Sequence, residues 1–144
     1  MVKKTHTVKN NLVVGMDDRQ IKHLSKTHEG KKHDKKICDE EKTSLPEGSE
    51  VYRDSGFQGH KLVGVEIHEP KKKPRGGELS AEDKEHNRLI SSIRVVVEHV
   101  ISGVKRCRIV KDVFRNTTLG YDDLVMELAC GLHNFRSDCR LTSY

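Results

Sequence analysis

An α/β fold is predicted for this chain by three features of its sequence. Short β-type segments bounded by Gly, Pro, Asn and Asp occupy the first half. A helical repeat of Leu, Ile and Val begins at Ser80 and dominates the second half. A length of 144 residues suits one domain. The expected order is strands and a short helix over about 5–68, a basic loop over 69–79, and C-terminal helices over about 80–136.

Residues 8–14, V-K-N-N-L-V-V, and 20–24, Q-I-K-H-L, flank the polar stretch Gly15 to Arg19 and read as an antiparallel hairpin. Asp34 precedes K-K-I-C-D-E-E, where a carboxylate can cap the free N–H groups of a short helix; a supporting role beside the functional site is the lesser alternative. Ser44, Pro46 and Gly48 end that helix. Residues 49–53, S-E-V-Y-R, form a strand that delivers Asp54 to its terminus, followed by the turn S-G-F-Q-G. Leu62 to Ile67 reads as another strand. The stretch Glu69 to Glu78 holds two Pro, two Gly and Lys71, Lys72, Lys73 and Arg75, a composition that forbids regular structure.

From Ser80 the S-A-E-D signature opens a long helix that the apolar spacing carries to about Arg108, with Leu89, Ile93, Val96, Val100 and Val104 directed inward. After a linker around Phe114 to Asn116, residues 118–136 form a second helix. Leu124, Val125, Leu128, Leu132 and Phe135 are its expected packing face.

Composition narrows the function. Only 33% of residues are hydrophobic and there is no Trp, so the core rests on Val, Ile and Leu. The net charge is +5 with neutral His, concentrated in residues 1–80, and favours a polyanionic partner. Four cysteines without a C-x-x-C pair suggest neither a zinc site nor a disulfide framework, and point to a reducing cytoplasm. No apolar run reaches the roughly 20 residues that cross a bilayer, which excludes a membrane partner of that kind.

The long helix carries the clearest chemistry. Arg94, Glu98 and Lys105 fall within about 40° of arc at helical geometry and share one face. A carboxylate between two cations can hold a metal ion while its neighbours hold phosphate oxygens, as phosphoryl transfer requires. The same spacing also suits an ordinary ion pair on a solvated face.

The ordered segments H-T-V-K, H-D-K-K, Y-R-D-S-G-F-Q-G, R-V-V-V-E-H-V-I-S-G-V-K-R, F-R-N and L-H-N-F-R together distinguish these readings. In order and spacing, from about Thr5 to Arg136, the chain resembles the DDE superfamily endonuclease domain of bacterial insertion-sequence transposases. The resemblance implies a ribonuclease H-like fold, a mixed sheet flanked by helices. It implies two divalent ions, Mg2+ or Mn2+, held by acids at strand ends and on a helix. Asp54 matches the second of the three acids and Glu98 the third, so both are expected as catalytic metal ligands. Arg94 and Lys105 match phosphate-binding positions, whereas Ser91 stands where the family carries a Tyr.

The first acid of that pattern lies on a strand ahead of the H-T-x-K segment, and no residue here matches it. Asp17 and Asp18 are expected in the hairpin turn, away from the site. The chain therefore reads as an N-terminally truncated catalytic domain, inactive alone. In a complete domain the chemistry would be phosphodiester hydrolysis and strand transfer in DNA transposition.

The implied partners are DNA, as transposon ends and target, and a second copy of the chain is compatible with the pattern; no small-molecule cofactor is implied. Lys71, Lys72 and Lys73 would follow a DNA backbone or keep a loop solvated. His33 is expected to orient a loop. Two other readings remain at this point: an inactive DNA-binding remnant, and a basic structural protein with no nucleic-acid role.

Overall fold

The computed structural model describes residues 7–112 and 115–141. Thr5, where the resemblance begins, His6 at the start of H-T-V-K, and the linker residue Phe114 lie outside them. Among the described residues the element order is β1 (Val8–Lys9), β2 (Leu12–Val14), β3 (Ile21–Leu24), β4 (His28–Glu29), α1 (Asp34–Glu41), β5 (Glu50–Tyr52), a 3-10 turn (Ser55–Phe57), β6 (Glu66–His68), α2 (Ala81–Val104), α3 (Arg108–Lys111) and α4 (Tyr121–Leu141). The chain is thus mixed α/β, with its strands in three two-stranded ladders. Its described residues divide into two compact units, one of residues 7–32 with 96–112 and 115–141 and one of residues 33–95.

In the first unit the hairpin forms as two successive antiparallel ladders. Leu12 faces Leu24 and Val13 faces His23 in one, and Val8 faces Glu29 in the other. Between them the ladder is interrupted at Asn10 and Asn11, where a backbone bond from Ser25 N to Asn11 O at 2.9 Å is supplemented by side-chain bonds. The Asn10 amide donates to Ser25 O and Thr27 Oγ1, while Asn11 N donates to Ser25 Oγ. Buried backbone groups must find partners, so an Asn pair opposite a Ser lets the ribbon bend without orphaning them. Ile21, Val100, Val104, Ala129 and Cys130 form the apolar core, with Leu12, Val14, Leu24 and Met126 packed on it.

Helix α2 begins as its signature predicts, with the Ser80 hydroxyl accepting from Asp83 N at 3.0 Å. It stops at Val104, four residues before the expected end, and a turn at Lys105 and Arg106 leads into α3. The Arg136 guanidinium donates to Gly103 O at 2.8 Å, satisfying one of the carbonyls that a helix end leaves open. Of the expected inward residues, Val100 and Val104 are buried, but Leu89 is half exposed and its neighbour Ile90 is buried instead.

The packing face expected for α4 is corrected more strongly. Leu124, Leu128, Leu132 and Phe135 are all about half exposed or more, and Ala129 and Cys130 carry the buried side. The reason is polar. Asn134 clasps the backbone of Ile21, accepting from its N–H at 2.8 Å and donating to its C=O at 2.9 Å, and His133 bonds Arg19 O. These bonds, with Asp123 accepting from Thr27 N, turn the side bearing Asp123, Ala129, Cys130 and Asn134 toward the hairpin. The leucine stripe lies roughly opposite on the helix.

In the second unit β5 and β6 pair in parallel, Glu50 with Glu66 through Tyr52 with His68. The expected strand over Leu62 to Ile67 is therefore displaced toward the C-terminus, because the turn at Gly64 (φ 68°) occupies its middle. Helix α1 starts at Asp34, but its N-cap is His33, whose side chain makes no capping bond. Asp34 is thus the first helical residue, with a carboxylate suited to the helix dipole, and not the cap.

Candidate metal and phosphate site

Asp54 sits two residues beyond β5 as the N-cap of the 3-10 turn. Its Oδ1 accepts from Ser55 N at 2.7 Å and Ser55 Oγ at 3.4 Å, and the residue is exposed. One carboxylate oxygen is therefore fixed by the turn while the other projects without a protein bond among the described residues. The strand, the cap and the turn together aim a single acid outward from a strand end.

The turn is held by α1. A Cβ added to Gly56 would lie 2.8 Å from Asp34 Oδ2, and one added to Gly59 would lie 3.3 Å from Lys35 Cε. The buried His60 that closes the turn donates from Nδ1 to Asp39 Oδ1 at 2.6 Å, because an ionised carboxylate can only accept. That bond, reinforced by Lys35 at 3.3 Å, holds the Asp39 carboxyl below its usual value of 3.8. Arg53, beside Asp54 in sequence, is tied inward by Glu69 at 2.6 Å and His60 O at 2.9 Å.

On α2 the side chains of Arg94 and Glu98 are exposed at i and i+4. Lys105 lies one residue past the helix end, yet its N–H still bonds Ile101 O at 2.9 Å, so helical geometry carries it to the same face. Asp54 belongs to the unit of residues 33–95 and Glu98 to the other. Carboxylate oxygens are the donors a hard divalent cation prefers, which suits both residues to Mg2+ or Mn2+. Among the described residues no three His, Cys, Asp or Glu side chains gather as a ready metal cage. Asp18 pairs with Lys22 and accepts from Gln20 N, so it serves the hairpin turn, and Asp17 is exposed.

Lys71, Lys72, Lys73 and Arg75 are exposed along the loop. The loop is anchored where Asn87 of α2 accepts from Lys71 N at 2.8 Å and donates to Lys71 O at 3.0 Å. Lys71 and Lys72 border a cavity of about 790 Å³ that Arg53, His60, His68 and His86 also line. Sequence reasoning missed the roles of Asn87, Asn134 and His60. Asn134 is marked only as part of the L-H-N-F-R segment, and nothing in the spacing shows what any of the three bonds, because each partner is far away in sequence.

The chain matches the DDE superfamily endonucleases over residues 1–134. It is 32% identical over 130 residues to a probable transposase for insertion sequence element IS702 of Microchaete diplosiphon, an alignment covering 90% of this chain and 46% of that protein. The chain thus spans about half the length of this relative. No solved structure matches. No helix among the described residues is long and apolar enough to cross a membrane.

Proposed function

Since the chain belongs to the DDE superfamily endonucleases, we propose that it is the part of a DNA transposase catalytic domain that carries the second and third acids of the metal site. The observation that carries this reading is the exposed face of α2, where Glu98 lies between Arg94 and Lys105. Glu98 and Asp54 hold Mg2+ or Mn2+, and the two cations bind phosphate oxygens and offset the charge that develops during phosphodiester cleavage. The exposed lysines at 71–73 follow the DNA backbone by charge. A mixed α/β content, with parallel pairing in one unit and antiparallel pairing in the other, is compatible with a ribonuclease H-like domain. The expected single mixed sheet does not form among the described residues, whose strands stay in three separate ladders.

Metal-dependent cleavage of a transposon end and joining of its 3′-hydroxyl to target DNA is the activity of the complete domain. Two carboxylates can each anchor an ion, but two ions about 3.5–4 Å apart need a further acid between them. This chain alone therefore binds divalent metal and DNA without cutting. The test is Mn2+ titration followed by electron paramagnetic resonance, with Asp54→Asn and Glu98→Gln, beside a cleavage assay on duplex DNA. Loss of Mn2+ binding in both variants and absence of cleavage are expected. Unchanged Mn2+ binding in both would overturn the assignment, and cleavage by the chain alone would overturn the ligand count.

A second reading, a DNA-binding remnant without metal chemistry, is favoured by the exposed basic loop alone. It predicts salt-sensitive DNA binding that neither Asp54→Asn nor Glu98→Gln weakens.

A further inference from the structure

Five glycines have positive φ, at positions 48, 59, 64, 76 and 120, where a side chain strains the backbone. Gly56 is not among them. Its backbone suits any L-residue, so its lack of a side chain needs another cause. The three atoms nearest a Cβ at 56 all belong to the Asp34 side chain, at 2.8, 3.7 and 3.9 Å. The Asp34 carboxylate occupies the space that a methyl group would take.

Asp34 is one of three neighbours on α1 that grip this turn. Lys35 lies against Gly59 and Asp39 bonds His60, so the helix holds the chain from 56 to 60 at three points. Asp54 is the cap of the same turn through the Ser55 amide. Any rotation of the turn therefore moves the Asp54 carboxylate.

We propose that Asp34 is a positioning residue: its carboxylate, seated against Gly56, locks the Ser55–Phe57 turn and thereby sets where Asp54 presents its free oxygen. The metal half of this inference rests on Asp54 being a ligand, as proposed above. The contact itself joins two segments, H-D-K-K and D-S-G-F-Q-G, through residues 22 positions apart. Outer partners of metal ligands commonly govern affinity without touching the ion.

The test is a double-mutant cycle in the full chain with Asp34→Ala, Gly56→Ala and the pair, read in two ways. Mn2+ affinity follows the ligand, and hydrogen exchange at the Ser55 amide follows the cap. Each single change is expected to weaken Mn2+ binding about tenfold and to speed Ser55 exchange, and the pair to do no more than either alone, because both act through one contact. Continued protection of the Ile37 amide, bonded to His33 O at 3.2 Å, shows in each variant that α1 is intact. Losses that multiply in the pair, or a Gly56→Ala chain with unchanged Ser55 exchange, would overturn the proposal. Mn2+ binding that survives Asp54→Asn would instead sink the metal reading, and Ser55 exchange would still decide whether Asp34 locks the turn.

Discussion

The two units of this chain are held together by different physics. In the unit built from the hairpin, α3, α4 and the end of α2, five buried apolar residues form one cluster and polar groups staple its margin. In the unit of residues 33–95, Ile37 and Ile90 are buried, but between them the interior is organised by Arg53 with Glu69, His60 with Asp39, and Tyr52 stacked on His68 at 4.6 Å. Apolar burial is tolerant of small shifts, whereas a buried guanidinium is not. The unit that presents Asp54 is thus the one whose geometry is fixed by directional bonds.

The strongest way to break that contrast is Arg53→Ala. The Arg53 side chain is only 10% exposed, and its removal leaves Glu69 and the His60 carbonyl without their partner. Truncating one member of such a pair costs about 3 kcal/mol here, at the lower end because Glu69 retains some solvent. Chemical denaturation should show this loss, with the residues 33–95 amides exchanging first. Equal stability of the Ala variant would mean that the polar network is ornamental to folding.

Val104→Ala probes the apolar unit in the same assay. The side chain is 2% exposed, and two lost methyl groups plus a partly collapsed cavity cost about 2 kcal/mol. Accelerated exchange should appear in β3 and α4 and leave the Ser55 amide unaffected. A uniform response across both units would show that they unfold as one.

Acid sharpens the comparison without a large energy. Asp39 is held below 3.8 in the folded chain, so its contribution is present above that value and disappears as pH falls through the lower, folded value. The difference in melting temperature between the native chain and Asp39→Asn should therefore persist at neutral pH and close below the usual carboxylate range. A gap that remains constant into strong acid would exclude the His60 bond as its source.

The smallest effect is in thiol reactivity. Burial, with Cys107 nearby, pushes the Cys130 thiol up to about 11, so it presents almost no thiolate near neutrality, while Cys139 is exposed. Alkylation at mildly basic pH should mark Cys139 first and reach Cys130 only on unfolding. Early modification of Cys130 would indicate that the core of its unit opens readily.

Local signals were legible in sequence where they act locally. The S-A-E-D signature placed the start of α2 because a Ser hydroxyl reaches an N–H only three residues on. Gly and Asp at 15–18 placed the hairpin turn for the same reason. The shared face of Arg94, Glu98 and Lys105 follows from helical period alone, and Asp54 at a strand end follows from where β5 runs out. Order and spacing of the motifs were enough to reach the family, which residues 1–134 match.

What tertiary structure decided was which side of each element is used. Leucine periodicity on α4 marked an apolar stripe, but the stripe is exposed because Asn134 and Asp123, bonding hairpin backbone more than 90 positions away, turned the other side inward. Periodicity records that a helix has an apolar face and carries no information about distant carbonyls and amides. Asp34 shows the same limit. Sequence favours a cap, because a carboxylate before a helix usually is one, and keeps a supporting role near the site as the lesser alternative. Yet the chain enters α1 one residue earlier and sends that carboxylate to Gly56, a partner the sequence does not name. A contact between residues far apart in sequence depends on the path of everything between them, so it exists only once the chain has folded.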